Sequence, residues 1–340
     1  MIYCSHKYSY FNIILELDRI YLSLQSVWQT HPALINKNMN ISKNMWGGNS
    51  LYHFMALFTV IIWGTTFVST KVLIKEGLTP EDIIFYRFLI AYICIWTICP
   101  RKLFANNLKD ELLLVATGLC GGSLYFIAEN RALGITLASN VSLIVCTASI
   151  FTAILSHLFV KGEKLKKNLI TGSFIALAGV AFVVFNGSFI LKINPAGDLL
   201  TITAAVMWAF YSIILKKLDN KYSTIFITRK VFFYGIITLL PTFIISPLTT
   251  DTRILFQPMI IGNFIFLGVI ASMLCYILWN KSVKHLGAVR TTNYIYIVPL
   301  ITLITSSIVI NETITLFAII GALLILSGVY ITERGFHWPK

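Results

Sequence analysis

Arg87, Glu129, Arg229 and Lys230 lie within or at the ends of long apolar runs, where an ionisable side chain costs about 2.5–3.5 kcal/mol to insert into a bilayer. A carboxylate facing a cavity there can couple solute movement to protons, and a guanidinium can hold an anionic group or gate a passage. For Arg87 two readings stand. One is snorkelling to the interface beside Tyr86 and Tyr92; the other is a direct binding or gating role. Arg229 and Lys230 stand close to a basic loop, and anchoring suits them. Glu129 precedes Asn130 and Arg131. It is either a coupling or gating carboxylate or half of an exposed pair with Arg131.

Neutral groups that could meet a solute come in matched sets. Asn130 recurs as Asn280, each after one apolar run. An amide both donates and accepts, which suits a polar or zwitterionic solute, but the same residue type also ends helices. Trp63 recurs as Trp208, with Tyr211 one turn on, and Tyr125, Tyr276 and Trp279 occupy another pair of runs. Rings at matched depth can wall a cavity, although aromatics also populate membrane interfaces. Thr65, Thr66, Ser69 and Thr70 give one helix a hydroxyl-rich face, and Asn140, Asn293 and Tyr294 offer polar groups from two further runs.

These residues must be positioned by a duplicated scaffold. Glu163, Gly172 and Gly179 recur 149 residues later as Glu312, Gly321 and Gly328, and Ile170, Leu177 and Val180 recur as Ile319, Leu326 and Val329. Each copy reads as an apolar helix opened by a carboxylate, where negative charge meets the positive end of the helix dipole. Its two glycines, seven apart, share one face and allow close helix packing. Gly118, Gly121 and Gly122 give a third run small-residue spacing and a possible hinge. In an oppositely oriented pair of repeats Glu163 and Glu312 would stand about 30 Å apart, too far for shared acid–base chemistry.

Composition sets the medium. Hydrophobic residues make up 57% of the 340, charged residues 12%, and the mean hydropathy is +0.79, far from the roughly one-quarter charged composition of a soluble domain. Continuous apolar runs, rather than alternating ten-residue strands, point to helices and not to a β-barrel. The net charge of +13 sits in short clusters between apolar runs, as in cytoplasmic loops, which argues against a nucleic-acid partner. Six cysteines show no metal or disulfide spacing.

The runs predict an all-α polytopic membrane protein with ten transmembrane helices. They fall at about 52–72, 82–100, 111–130, 137–160 and 168–188, then 198–216, 224–246, 259–280, 288–310 and 314–333. Alternate loops hold 13 Lys and Arg against 5, which places the first set and both termini in the cytoplasm. The basic loop KGEKLKK corresponds to NETIT, which carries no Lys or Arg. With five helices per half, 52–188 and 198–333 are therefore expected as two inverted five-helix repeats. Residues 1–50 fit neither repeat and lack a signal-peptide layout. They are either a loose amphipathic leader or an extension ahead of a true start at Met39 or Met45.

The ordered series WGTTFVSTK (63–71), FYRFLIAY (85–92), SLIVCTASIFTAILSHLFVKGEKL (142–165) and GSFIALAGVAFVV (172–184) is followed by VPLITLITSSIVINETIT (298–315) and GALLILSGVYI (321–331). It resembles the EamA type of the drug/metabolite transporter superfamily over about residues 52–333. The resemblance implies a ten-helix secondary transporter of two inverted repeats, with the substrate path between them and amino acids, other metabolites or drugs as cargo. One departure is Ser149, which stands where Pro299 stands in the second copy and where the family often has proline. That puts a kink of the fourth helix in question.

The function expected is export of small metabolites across the cytoplasmic membrane by alternating access. Trp63, Thr66, Tyr125, Asn130, Asn140, Trp208, Tyr211, Trp279, Asn280 and Tyr294 are the candidate solute contacts, and Arg87 and Glu129 the candidate coupling or gating groups. No GxxxxGK[ST] loop is present. No cofactor or metal is expected; the partners expected are a small solute and the bilayer, as monomer or homodimer. The alternatives are an intramembrane lipid-modifying enzyme, disfavoured by the lack of HExxH, GxSxG or clustered acids in a span, and a non-transporting scaffold, which has no need of a duplicated inverted layout.

Overall fold

The computed structural model describes residues 49–100, 104–136, 138–160, 167–185, 194–248, 252–310 and 316–334. The chain divides into two units, Met1–Leu51 and Tyr52–Lys340, and the helical bundle belongs to the second. The leader up to residue 48, Glu163 and Glu312 lie outside the described residues.

Every described element is helical. The first half comprises α1 (Ser50–Lys75), α2 (Pro80–Ile98), α3 (Leu108–Ile135), α4 (Ala138–Val145 continued by Ala148–Phe159) and α5 (Lys167–Phe185). The second comprises α6 (Pro195–Leu218), α7 (Thr224–Ile245), α8 (Pro258–Leu286), α9 (Ala288–Asn293, a 3₁₀ turn Tyr294–Ile297, then Val298–Ile310) and α10 (Leu316–Arg334). Of these, α1, α3, α6, α7 and α8 are long and apolar enough to cross a membrane by length and composition. Their starts are written in the sequence. Thr79, Asn107, Asn194 and Ser223 each accept a backbone N–H from the first turn, and Pro80, Pro195 and Pro258 sit where a helix needs no amide proton. Gly287, at φ +92°, ends α8 in a conformation that favours glycine.

The duplication is visible in the packing. A Cβ on Gly172 would stand 2.6 Å from the Gly328 carbonyl oxygen, and one on Gly179 2.6 Å from that of Gly321. Gly172 thus meets the partner of Gly179, and Gly179 the partner of Gly172, so α5 and α10 run antiparallel along a seam only glycine permits. The fourth and ninth helices meet the same way. Cys146, where α4 breaks, donates its thiol to Ile295 O at 3.5 Å, in the 3₁₀ turn of α9. The α4 break therefore forms without proline; Ser149 instead donates its hydroxyl to Thr292 O at 2.5 Å.

The third helix of each half carries a π turn at the equivalent place, Leu119–Ser123 in α3 and Phe266–Leu274 in α8. Gly122 there leaves helical geometry at φ −119°, ψ −105°, so the flagged glycine cluster is where α3 deforms. A Cβ on Gly121 would lie 2.4 Å from the Tyr211 ring.

Contacts sort into two ends of the bundle. At one end the start of α3 meets the start of α7, and Arg229 donates to Cys99 O just past α2. At the other, the starts of α2 and α8 pack together through Ile83, Ile260 and Phe264. Since α2 has its end at the first and its start at the second, α3 and α8 run in opposite directions.

Candidate functional site

Between the halves lies a cavity lined by Trp63 and Thr66 of α1, Arg87 of α2, Tyr125 and Glu129 of α3, and Trp208 of α6, with Tyr276 of α8 behind. Its volume is about 40 Å³. One water needs roughly 10–15 Å³ by that measure, so this conformation holds a few waters and is tight for a solute with a sizeable side chain.

The walls are aromatic. Trp63 stands edge-on to Trp208 at 5.2 Å between ring centroids and lies 4.9 Å from Trp279. Trp208 also touches Tyr125 and Tyr211, each at 5.1 Å. Such offset or edge arrangements add about 0.5–1.5 kcal/mol per pair beyond area burial. Two reciprocal hydrogen bonds tie this cluster to the π turns. Trp63 Nε1 donates to Ala271 O of α8 at 2.9 Å, and the Tyr276 hydroxyl donates to Gly121 O of α3 at 2.5 Å. A ring from each half is thereby bonded to the deformed backbone of the other. Trp208 Nε1 and Trp279 Nε1 are buried with no hydrogen-bond acceptor among the described residues.

Two charges face the cavity. Arg87 is 2% exposed; its Nε donates to Ser272 Oγ at 3.1 Å, and its guanidinium lies 4.4 Å from the Phe126 ring centre. This rules out snorkelling. Glu129 is 7% exposed and accepts from the Tyr125 hydroxyl at 2.8 Å. The exposed Glu129–Arg131 pair does not form; Arg131 reaches Glu81 of α2 at 2.6 Å instead. Residues two apart on a helix point to different faces, which separates Glu129 from Arg131.

The two asparagines do not end their helices, since α3 continues to Ile135 and α8 to Leu286. Asn280 accepts from the Tyr211 hydroxyl at 2.6 Å and donates to Thr228 at 2.9 Å, bracing the aromatic wall from behind. Asn130 is buried, reaches Pro80 O only at 3.5 Å, and leaves its oxygen without a donor among the described residues. Thr66 lines the cavity and donates to Trp63 O at 2.7 Å. Tyr294 stands apart from the lining, its hydroxyl 2.7 Å from His53 Nδ1. Asn140 lies on α4, with its side chain outside what the structure describes.

The sequence gives no warning of Phe67, Phe126, Val145, Ile295 and Val298, which complete the lining; they are apolar residues within apolar runs. A second omission is the polar cluster at the α3–α7 end. Lys230, 2% exposed, donates to Glu111, as does the Tyr234 hydroxyl, and Ala105 N donates to the same carboxylate at 2.5 Å. Beside it Asp110 accepts from Lys221 at 2.8 Å and from the Tyr222 hydroxyl at 2.9 Å. The Asp110 hydrogen bond holds the Lys221 ammonium above the usual lysine range. Lys230 is therefore a buried ion-pair partner and not an interface anchor.

Comparison with known proteins agrees with this architecture. The model of the EamA-like transporter family matches residues 50–185 and again 195–334. An uncharacterized transporter of Archaeoglobus fulgidus is 30% identical over 293 residues, covering 85% of this chain and 99% of its own. A probable amino-acid metabolite efflux pump of Escherichia coli is 25% identical over 296 residues, covering 84% and 96%. A protein crystal structure at 17% identity superposes with a TM-score of 0.64, covering 84% of this chain and 99% of its own, which shows a shared fold.

Proposed function

Because this chain belongs to the EamA-like transporter family, we propose that it exports small metabolites of the amino-acid class by alternating access of two inverted five-helix halves. It is a multi-pass membrane transporter; the direction, the solute and the rocking motion are our reading. The halves are 52–188 and 198–333, crossing the cytoplasmic membrane ten times with both termini inside.

The observation that carries this reading is the cavity. Arg87 and Glu129 are buried at its wall within a ring of aromatic side chains. An amino acid carries a carboxylate and an ammonium a few ångströms apart. A guanidinium and a carboxylate facing one small space are complementary to that pair, and the rings complement an apolar side chain. The relative from Escherichia coli is named for amino-acid metabolite efflux, and that solute class fits these groups. In this reading Trp63, Thr66, Tyr125 and Trp208 touch the solute, with Arg87 and Glu129 holding its charged ends. Tyr211, Trp279 and Asn280 fix the rings.

The present cavity is tight for a solute with a sizeable side chain, so loading one requires the halves to separate at one end. The reciprocal bonds Trp63–Ala271 and Tyr276–Gly121 join the halves at mid-depth, where rocking would break and remake them.

Efflux of labelled amino acids from proteoliposomes tests the reading. Trp63→Ala and Trp208→Ala are expected to slow efflux about tenfold or more, as truncation of a buried aromatic anchor does, while both variants insert and purify normally. Unaltered efflux in both would remove the aromatic cavity from the transport path.

A further inference from the structure

Among the described residues, Glu129 is a buried carboxylate whose one hydrogen-bond partner is a neutral hydroxyl. It is bonded to Tyr125, and no ion pair among those residues joins it to Arg87 or to any other cation. Arg87 lines the same cavity and acts on Glu129 only through space, its own hydrogen bond going to Ser272 and its guanidinium lying by the Phe126 ring. A carboxylate charge in a water-poor site needs a cation or a proton to neutralise it. Other titratable groups facing this space are few: Arg87 from α2, Tyr125 on its own helix, and Tyr276 from α8 with Tyr211 of α6 beside it. The cavity linings from α1, α4 and α9 contribute none.

We propose that Glu129 is the proton-carrying site of an obligatory exchange, in which a proton and the solute ammonium occupy this carboxylate by turns. The proposal rests on the transport reading above. In the loaded state Arg87 is positive, Glu129 negative and the zwitterion neutral, so the outward leg moves no net charge. After release to the outside, the Glu129 carboxylate takes up one proton from the external water, and the return leg carries the positive charge of Arg87 inward. At the cytoplasmic side an incoming ammonium displaces that proton into the cytoplasm. One solute leaves as one proton enters. The cycle is therefore electrogenic, driven by both the pH difference and an inside-negative potential.

The second repeat explains why one such site suffices. Trp279 occupies the position equivalent to Glu129, directly before Asn280 as Glu129 is before Asn130. The duplicated scaffold thus presents a titratable group from one half and an indole from the other.

The test uses the full-length protein in proteoliposomes with a mixture of the common amino acids as probe and a pH-sensitive dye inside. Wild type should move one proton per solute in the opposite direction and speed up with an imposed potential. Glu129→Gln should abolish the proton movement, with solute counterflow retained but slowed about tenfold by loss of a charge-assisted hydrogen bond. Purified protein in weakly buffered detergent gives a readout that needs no transport: adding the amino-acid mixture should release about one proton per bound solute from wild type, and none from Glu129→Gln. Wild-type net efflux indifferent to pH and potential, or proton release persisting in Glu129→Gln, overturns the exchange role while leaving transport intact. Absence of any amino-acid flux or binding in wild type sinks the solute assignment on which both rest.

Discussion

The two ends of the bundle are built from equivalent helices and closed by opposite chemistry. Where the start of α3 meets the start of α7, closure is polar: Glu111 takes Lys230, Tyr234 and a backbone amide, and Asp110 takes Lys221 and Tyr222. Where the start of α8 meets the start of α2, closure is apolar, through Ile83, Ile260, Phe264 and Leu267 with Tyr86 against Phe264 at 5.5 Å. A repeat that had stayed symmetric would close both ends alike. The polar end can open into water because its groups are resolvated as they part, whereas the apolar end loses packing with nothing to replace it. The difference gives the two openings different energies.

The largest expected effect is Lys230→Met. It leaves Glu111 partly buried without its counter-charge, a change that costs about 3–5 kcal/mol in buried pairs, and should lower the melting temperature of the purified protein sharply. Phe264→Ala at the other end should cost about 3 kcal/mol through the void it leaves, read by the same melt. Combining Glu111→Gln with Lys230→Met removes charge and counter-charge together and should return to within about 1 kcal/mol of wild type. If the double variant is as unstable as Lys230→Met alone, the polar end is not held as described. The smallest effect belongs to Lys221→Ala, where the exposed ammonium is already solvated; a large loss there would mean that the outer pair, and not Lys230, closes this end.

A pH dependence sharpens the same contrast. Burial pushes the Asp219 carboxyl above the ordinary carboxylate range, against the pull of Lys216 and Lys284. A raised carboxyl means that the folded state binds the proton better than the unfolded chain. Stability therefore rises as pH falls through the folded value, and levels off below the ordinary carboxylate pKa. Asp219→Asn should remove that rise and add slight stability at neutral pH, with no counterpart at the apolar end.

The sequence made some of this legible. That each glycine pair allows close helix packing could be read from the 149-residue period and the seven-residue spacing; that α5 and α10 pack on each other could not. The aromatic cluster could be read because Trp63 and Trp208 occur in both copies. For Glu129 the sequence left two readings open, since its nearest cation in sequence, Arg131, could have paired with it; in the structure Arg131 points elsewhere on the helix and finds Glu81 fifty residues away. Asn130 and Asn280 looked like helix ends because polar residues follow them, yet each helix runs on until Thr136 or Gly287 stops it. Lys230 and Glu111 lie 119 residues apart, and no local pattern links them. The apolar lining, Val145 and Ile295 among it, has no polar or periodic mark to distinguish it from lipid-facing neighbours.

The transport mechanism depends on the two halves facing opposite ways across the bilayer. Single cysteines at Lys109, in the first turn of α3 at the polar end, and at Arg253, before the apolar end of α8, can be introduced into a cysteine-free protein and labelled in sealed, oriented membranes with an impermeant thiol reagent. The account predicts labelling of Lys109→Cys from the cytoplasmic side alone and of Arg253→Cys from the outside alone. Labelling of both from the same side would contradict it.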